Sequence, residues 1–470
     1  LIRFIDLRPK DLRQKLLSDR PAGTFPLGWA CFQLGLLLLA SSALLAGLLL
    51  LVALILGCRR RDRYLADGAN RLLLVVAGLM VLGAAGASSG WLAWVGLGNW
   101  LPFFWGFWGF QPYLIDQASR RRAGLMLVAG TIPVLVTGLG QLAWGWHGPF
   151  QALGGLIIWH LHPGGNPEGR LAGLFDYANI AGAWLVIAWP FTLAALLQPF
   201  LGWRQRLGVL AIATAMVAAV FLTDSRNAWG ALILTMPLVA GPASWSWLLP
   251  LLAIGLGLVA AATLPGVPSL LQGPAQQLVP EAVWARLNDF QFAGQRPLAI
   301  TRLAQWQVAL GLIAERPWLG WGAAAFSLIY PRRTGHWHGH PHNLPIDLAL
   351  SHGLPAALLL VGFSFWLLLR GVRLGMATGP VFDRAWWTAS LALVALHATD
   401  IPLFDSRVNI AGWVLLAGLR AVSSGQSRVG SRLDRCCSAP PDGASPGSPW
   451  AGDLADDPRG APAPGPSAGG

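Results

Sequence analysis

Long apolar runs, separated by short basic, polar or glycine-rich breaks, dominate the chain. A helix needs about 20 apolar residues to cross a bilayer, with about 17–25 tolerated. Residues 24–58 are too long for one ordinary span. Basic residues flank this run on both sides: Arg3, Arg8, Lys10, Arg13, Lys15 and Arg20 before it, Arg59, Arg60, Arg61 and Arg63 after it. Positive charge stays on the cytoplasmic side. Only a tight hairpin turning at Ser41-Ser42 keeps both clusters there, so two short spans are expected. Further spans are expected over 72–87, 91–115, 123–146, 176–198, 207–223, 228–241, 245–264, 354–369, 385–399 and 408–419. The pattern predicts an all-α, polytopic membrane helix bundle of about twelve transmembrane helices, with both termini cytoplasmic. The basic clusters at Arg120-Arg121-Arg122, Arg204 and Arg206, Arg370 and Arg373, and Arg420 then all fall inside. The loop at about 265–351, between spans 9 and 10, is expected on the outer side and is long enough to be functional.

Composition narrows the classes. The chain of 470 residues is 54% hydrophobic and 11% charged, with a mean hydropathy of +0.53. Soluble domains carry about 25% charged residues. So few charges cannot cover a water-soluble globule of this size, which excludes a soluble enzyme, a disordered protein or a nucleic-acid binder for most of the chain. The net charge of +12 therefore reads as an orientation signal, with no nucleic-acid partner. The sequence divides into a basic cytoplasmic arm over 1–23, a membrane domain over 24–420, and a tail over 421–470. The tail is rich in Pro, Gly, Ala and Ser and is expected to be disordered and cytoplasmic. The first apolar stretch comes after a basic arm and is too long for the core of a cleavable signal peptide. Cys31, Cys58, Cys436 and Cys437 show neither disulfide nor metal-site spacing.

Polar groups in or beside membrane spans are costly and point to function by default. Here they gather on the expected outer side. Asn179, in Tyr177-Ala178-Asn179, suits either an interfacial anchor or a substrate contact. Arg226, in Thr223-Asp224-Ser225-Arg226-Asn227, breaks the positive-inside pattern. It suits either snorkelling and pairing with Asp224 or an anion clamp, since guanidinium is a planar fork of donors that stays charged. In the large loop, Leu303, Trp306, Leu310 and Ile313 keep helical spacing and predict an apolar face against the membrane surface or another span. Arg302 on that helix and Arg286 before it are further candidate phosphate ligands, although a solvated helix face accounts for Arg286 more simply.

The run His336-Trp337-His338-Gly339-His340-Pro341-His342-Asn343 is the densest group. In an extended chain its alternating histidines would share one side. Imidazoles suit Zn or Cu, but no Cys, Asp or Glu lies within the run to complete a typical site, so no metal is assigned. A general base is the favoured role, because a free imidazole titrates near pH 6.5. His342 is the candidate, since Asn343 and the next span place it at the membrane mouth. His340 and Asn343 are carried forward as supporting residues with Asn179 and Asp405. In the last outer loop, Asp400 and Asp405 each suit orienting the histidine, pairing with an arginine, or ordinary solvation.

Outer arginines beside a histidine suit one chemistry. A lipid-linked sugar pyrophosphate has a phosphate leaving group whose developing charge cations can neutralise. These residues also resemble the O-antigen ligase and O-antigen polymerase superfamily. The resemblance runs from Tyr177-Ala178-Asn179-Ile180-Ala181-Gly182 through Leu222-Thr223-Asp224-Ser225-Arg226, Arg302 and Glu315-Arg316-Pro317-Trp318-Leu319-Gly320-Trp321-Gly322 to His340-Pro341-His342-Asn343-Leu344. It covers the second half of the membrane domain. It implies a multi-pass inner-membrane enzyme with a periplasmic site and no cofactor. Such an enzyme transfers a glycan, metal-independently and with inversion, from undecaprenyl pyrophosphate to a glycan or lipid acceptor. By the resemblance Arg226 and Arg302 bind pyrophosphate and His342 activates the acceptor, and the H-x-H-N element looks more like a ligase. The segment Asp400-Ile401-Pro402-Leu403-Phe404-Asp405-Ser406-Arg407 looks like a cyanobacterial branch named for a proposed role in bicarbonate uptake. A polymerase and a small-anion transporter are therefore the competing expectations, with a metal sensor last.

Overall fold

The computed structural model describes residues 17–59, 64–199, 201–287 and 301–437, with side chains to residue 422. Most of the basic arm, the Arg60, Arg61 and Arg63 cluster, and the tail beyond residue 437 lie outside the described residues. The chain divides into two units, 1–426 and 427–470, and the first holds the helical bundle.

The structure is all-helical apart from one two-stranded hairpin. Residues 24–58 fold as α1 (Pro26–Leu38) and α2 (Ala43–Cys58), two apolar helices packed together. Ser42 separates them: its hydroxyl accepts the Leu45 N–H at 3.3 Å and caps α2. The hairpin strands β1 (Phe150–Ala152) and β2 (Ile157–Trp159) pair with Phe150 opposite Trp159. They lean on that turn, with Trp159 Nε1 donating to the Ser41 carbonyl at 2.9 Å.

The chain then continues through α3 (Gly68–Ala85), α4 (Trp91–Gly96), α5 (Leu101–Phe110), α6 (Gln117–Ala143), α7 (Ala178–Leu196), α8 (Trp203–Leu222), α9 (Arg226–Ala240) and α10 (Trp245–Thr263). Among the described residues, six helices are long and apolar enough to cross a membrane: Gly68–Ala85, Gln117–Ala143, Ala178–Leu196, Trp203–Leu222, Pro242–Thr263 and Leu344–Arg373. Only 11% of the apolar window in Pro242–Thr263 is buried, and 22% in Trp203–Leu222. Apolar helices left so bare need lipid around them, and the protein is an integral membrane protein.

Three expectations change. Residues 91–115 do not form one span: the run is cut into α4, α5 and short tight turns. Gly96 and Gly98 weaken a helix there, and Pro102 and Pro112 each occupy the start of the next segment. The 265–351 region is largely helical, through α11 (Ser269–Leu278), α12 (Glu281–Leu287), α13 (Arg302–Glu315), α14 (Ala325–Thr334) and the start of α15 (Leu344–Arg373). Finally, α16 (Val381–Leu396) is succeeded by α17 (Ser406–Cys437), which runs past the expected start of a disordered tail at residue 421. No proline interrupts the sequence between there and Pro440.

The two ends of the bundle differ. At the end where α15 stops and α16 starts, arginines are tied down one by one. Arg120 pairs with Asp383 at 2.7 Å, both largely buried, and also donates to the Leu114 and Ile115 carbonyls at 3.0 Å. Arg420 pairs with Asp67 at 2.9 Å, and Arg122 donates to Gln33 Oε1 at 2.8 Å. The histidine run, Asp224, Arg302 and Asp400 lie at the opposite end.

A break in α15 shapes that opposite end. Gly353 has φ 84 and ψ 160, so the helix is interrupted and restarts at Leu354-Pro355. Buried backbone groups freed by a break must find partners. The segment 317–322 supplies them: Trp321 N–H donates to Leu350 O at 2.8 Å, Gly322 N–H to Ser351 O at 3.0 Å, and Leu354 N–H to Pro317 O at 2.8 Å. A Cβ on Gly353 would meet the Trp318 carbonyl oxygen at 2.1 Å, and one on Gly320 the Leu350 oxygen at 2.6 Å. Gly353→Ala should therefore lower the unfolding midpoint in detergent, its backbone strain alone costing about 1–3 kcal/mol. Gly362→Ala, on the same helix with nothing within 4 Å of the new Cβ, should leave the midpoint unchanged or raise it. Equal midpoints for the two variants would show that the break is not braced in this way.

Candidate active site

Asp400 is the hub of the site. It lies just beyond α16, where its own N–H closes the helix end on the Leu396 carbonyl at 3.1 Å. Its Oδ1 accepts the Ile401 N–H at 2.9 Å and lies 3.0 Å from His342 Nδ1. Its Oδ2 accepts Asn179 Nδ2 at 3.0 Å and lies 3.9 Å from the Arg302 guanidinium. Burial alone would push this carboxyl up. The hydrogen bond and charge of His342, the Ile401 N–H and Arg302 outweigh burial and hold it down at about 2.

His342 is fixed to that turn by its neighbours in sequence. Its backbone adopts a left-handed φ of 51°. Asn343 caps α15, accepting the Ile346 N–H at 3.0 Å, and donates to the Ala398 carbonyl at 2.8 Å. The Leu344 N–H donates to the His397 carbonyl at 2.8 Å. Asn343 thus joins the start of α15 to the end of α16 and places the imidazole on Asp400. The Trp306 indole N–H, from α13, donates to the Pro341 carbonyl at 2.8 Å and holds the histidine run from the other side.

The four histidines are not one-sided. The run turns, and the His340 and His342 rings lie edge to face at 4.4 Å while His338 is 6.4 Å from His342. His340 Nδ1 accepts the His342 N–H at 3.2 Å. Burial, then the neighbouring His342 charge, pushes the His340 imidazole down to about 4, so it stays neutral at ordinary pH.

A second cluster forms at the α8–α9 turn. Asp224 sits at φ 51, and Arg286 pairs with its carboxylate at 2.9 Å. Arg170 lies 4.0 Å from the same carboxylate, donates to the Thr223 carbonyl at 2.8 Å, and reaches Asn179 Oδ1 at 2.6 Å. Asn179 therefore links Arg170 to Asp400. Arg226, exposed at the start of α9, and Arg302, at the start of α13, face the same region. Burial lowers the Arg302 pKa; Asp400 opposes this, and the Arg226 charge lowers it further.

An open cleft of about 380 Å³ lies at this junction, lined by Tyr177, Asn179, Asn227, His338, His342 and Asp400 among others. Of the expected residues, the structure brings His342, His340, Asn179 and Arg302 around Asp400. Arg226 is near enough to act on Arg302. Arg286 reaches the cluster with its guanidinium engaged by Asp224. Asp405 stands apart from the histidine. It accepts the Arg407 N–H at 2.9 Å and pairs with that guanidinium at 2.5 Å, which in turn lies over the Phe175 ring. On α13, Gln305, Ala309, Leu312 and Ile313 are buried in the protein, while Leu303 and Leu310 are exposed on its outer face.

Two features of the site were not picked out by sequence. Arg170 lies in a loop expected on the outer side, where it breaks the positive-inside pattern as Arg226 does, so the same signal marks it. Asp400 and Asp405 look alike in sequence, and only the fold separates them. The carboxyl of Asp400 is held below its ordinary value, so its share of stability is complete above about pH 3.8 and is lost as pH falls toward about 2. Asp400→Asn should remove that acid-limb dependence and shift the imidazole ¹⁵N resonances of His342. Asp405→Asn should leave those resonances in place. Identical His342 spectra in wild type and Asp400→Asn would refute the contact.

A search of the curated proteins found no match. Residues 211–361 match the family described as O-Antigen ligase. The matched segment takes in the Asp224 turn, Arg226, Arg286, Arg302 and the histidine run, and it stops before Asp400. That match supports membership of this chain in the O-antigen ligase/polymerase superfamily.

Proposed function

We propose that the protein is an integral membrane glycosyltransferase of the O-antigen ligase type. In this reading it transfers a glycan from an undecaprenyl-pyrophosphate donor to an acceptor hydroxyl on the periplasmic face of the inner membrane. The carrying observation is the 3.0 Å contact between His342 Nδ1 and Asp400, both lining one cleft, with the Arg302 guanidinium 3.9 Å from the same carboxylate. With Nδ1–H held by the carboxylate, Nε2 is the lone pair that takes the acceptor's proton, and Asp400 stabilises the imidazolium that forms. The acceptor oxygen bonds to the anomeric carbon as the bond from that carbon to the pyrophosphate oxygen breaks. Attack opposite the leaving group inverts the centre. The leaving pyrophosphate takes the electron pair, and Arg226 and Arg302 neutralise it, so the transfer needs no metal. Arg170 and Arg286 hold the Asp224 turn that carries Arg226.

Several features support the placement. Arg120, Arg122 and Arg420 lie at the bundle end away from the cleft, which by the positive-inside rule is cytoplasmic. In that orientation the six long apolar helices cross the membrane with the cleft on the periplasmic side. A mainly apolar cavity of about 150 Å³, lined by Leu344, Ala398, Leu360 and Trp413, lies beside the turn that carries Asp400 and suits a short apolar segment of a lipid. A polymerase would use the same groups and differ in its acceptor.

The test is transfer by purified protein of a labelled undecaprenyl-pyrophosphate glycan to acceptor, with and without EDTA. Transfer should survive chelation. His342→Ala should reduce it by about 10²–10⁴-fold, and Arg226→Ala and Arg302→Ala by about 10²-fold or more, as for removal of a charge-stabilising donor. Asp400→Asn should lower kcat more than it raises KM. Wild-type rates in both His342→Ala and Arg226→Ala would sink the assignment, and anion flux without transfer would favour a transporter.

A further inference from the structure

The histidine run alone has no carboxylate, but the fold provides one. His340, His342 and Asp400 each offer a ligand atom, and all three atoms lie within 4.8 Å of one another. Two imidazoles and a carboxylate form a nitrogen–oxygen donor set that suits zinc, cobalt, nickel or copper better than magnesium or calcium. We propose that these three residues form a binding site for a divalent transition ion of the zinc class, and that occupation of this site switches transfer off. The switch rests on the transfer reading above; the site does not.

The surroundings are those of a built site. Asp400 is oriented by the Ile401 N–H and by Asn179, which is itself held by Arg170. Outer partners of this kind fix metal ligands in place. The His340 ring packs on Phe404 at 5.5 Å, and the Trp306 bond to Pro341 fixes the loop between the two histidines. A tetrahedral ion with bonds of about 2.0–2.1 Å needs ligand atoms about 3.3 Å apart. The pair formed by His342 Nδ1 and Asp400 Oδ1 is already at 3.0 Å, so rotation of the His340 side chain closes the set. His338 Nε2 is buried and has no hydrogen-bond partner among the described residues, but its ring is 6.4 Å from that of His342 and it would have to move to become a fourth ligand. The cleft leaves room for water in any remaining position.

Occupation removes the base whichever imidazole nitrogen binds. An ion on Nε2 takes the lone pair that would accept the acceptor's proton. An ion on Nδ1 displaces the contact with Asp400 and turns the ring's remaining N–H toward the acceptor. No bond to the donor forms or breaks, so the effect is reversible by a chelator.

The test uses full-length protein in detergent. Zn²⁺ is titrated by calorimetry, and Co²⁺ is followed by its visible absorption. One ion per chain in the micromolar range or tighter is expected. His340→Ala and Asp400→Asn should each weaken binding about 10-fold or more, and His336→Ala should leave it unchanged. Size-exclusion profiles establish that each variant is folded. His340→Gln and Asp400→Ser serve as second variants, and a rise in the wild-type unfolding midpoint on adding Zn²⁺ is an independent readout. In the transfer assay, stoichiometric Zn²⁺ should abolish transfer and EDTA should restore it. Unchanged affinity in the His340 and Asp400 variants, or an equal loss in His336→Ala, overturns the site. Zinc that binds while transfer continues overturns the switch. Transfer that depends on His342 in a protein that binds no zinc overturns this inference alone and leaves the transferase reading standing.

Discussion

A carboxylate buried among apolar helices must be surrounded by donors or give up its charge. Asp400 meets that condition with His342, Asn179, the Ile401 N–H and Arg302, which come from four different stretches of chain. The remaining geometry depends on it. His342 is aligned because it is one of those donors. Asn179 can serve Asp400 because its oxygen is taken by Arg170, and Arg170 in turn touches the Asp224 turn from which Arg226 projects. One partly buried negative charge thus links the imidazole to the arginines beside it.

Backbone satisfaction is the second constraint, and it explains why the site lies where it does. A helix broken at Gly353 would leave carbonyl and amide groups unpaired at the rim of the bundle. The segment from Pro317 to Gly322 pairs with them, and the same segment ends α13, the helix that begins at Arg302. The Trp321 indole N–H donates to the Leu312 carbonyl at 2.7 Å and ties that helix to the turn. Arg302 is therefore carried to Asp400 by a helix anchored at its far end to the break in α15, whose own first residues come directly after His342.

Legibility differed by level. The hairpin at Ser41-Ser42 is implied by two basic clusters and a run too long for one span, and the structure turns there. Helices near 123–146, 176–198, 207–223 and 245–264 are readable because no charged residue interrupts their interiors. The run 91–115 misled because hydropathy does not register how Gly96, Gly98, Pro102 and Pro112 cut a helix. At the site, Arg226, Arg302 and His342 stand out as costly groups near membrane spans. The choice of Asp400 over Asp405 could not be read, since both sit in one short loop. It depends on which carboxylate faces Asn343 and the end of α16, and Asp405 instead caps α17 and pairs with Arg407. The arrangement of the histidines was equally hidden. Alternation implies one face only in an extended chain, and this run bends at Gly339-His340 and again at His342.

The arginines at the two ends of the bundle are held in different ways. Arg120, Arg122 and Arg420 each have a dedicated partner: a carboxylate for Arg120 and Arg420, a side-chain amide oxygen for Arg122. Such pairing neutralises or masks a charge and leaves it no further work. At the cleft the pairing is uneven. Asp224 is shared between Arg286 and Arg170, and Asp400 is shared between Arg302 and His342. Arg226 adds a further positive charge that acts against Arg302. The Arg226 and Arg302 charges act against one another, and an entering polyanion relieves that repulsion as it binds. The relief is greatest for the species with the most negative charge. In the proposed transfer from pyrophosphate that species is the leaving group as its bond breaks, so the same repulsion between Arg226 and Arg302 would favour the transition state over the bound donor.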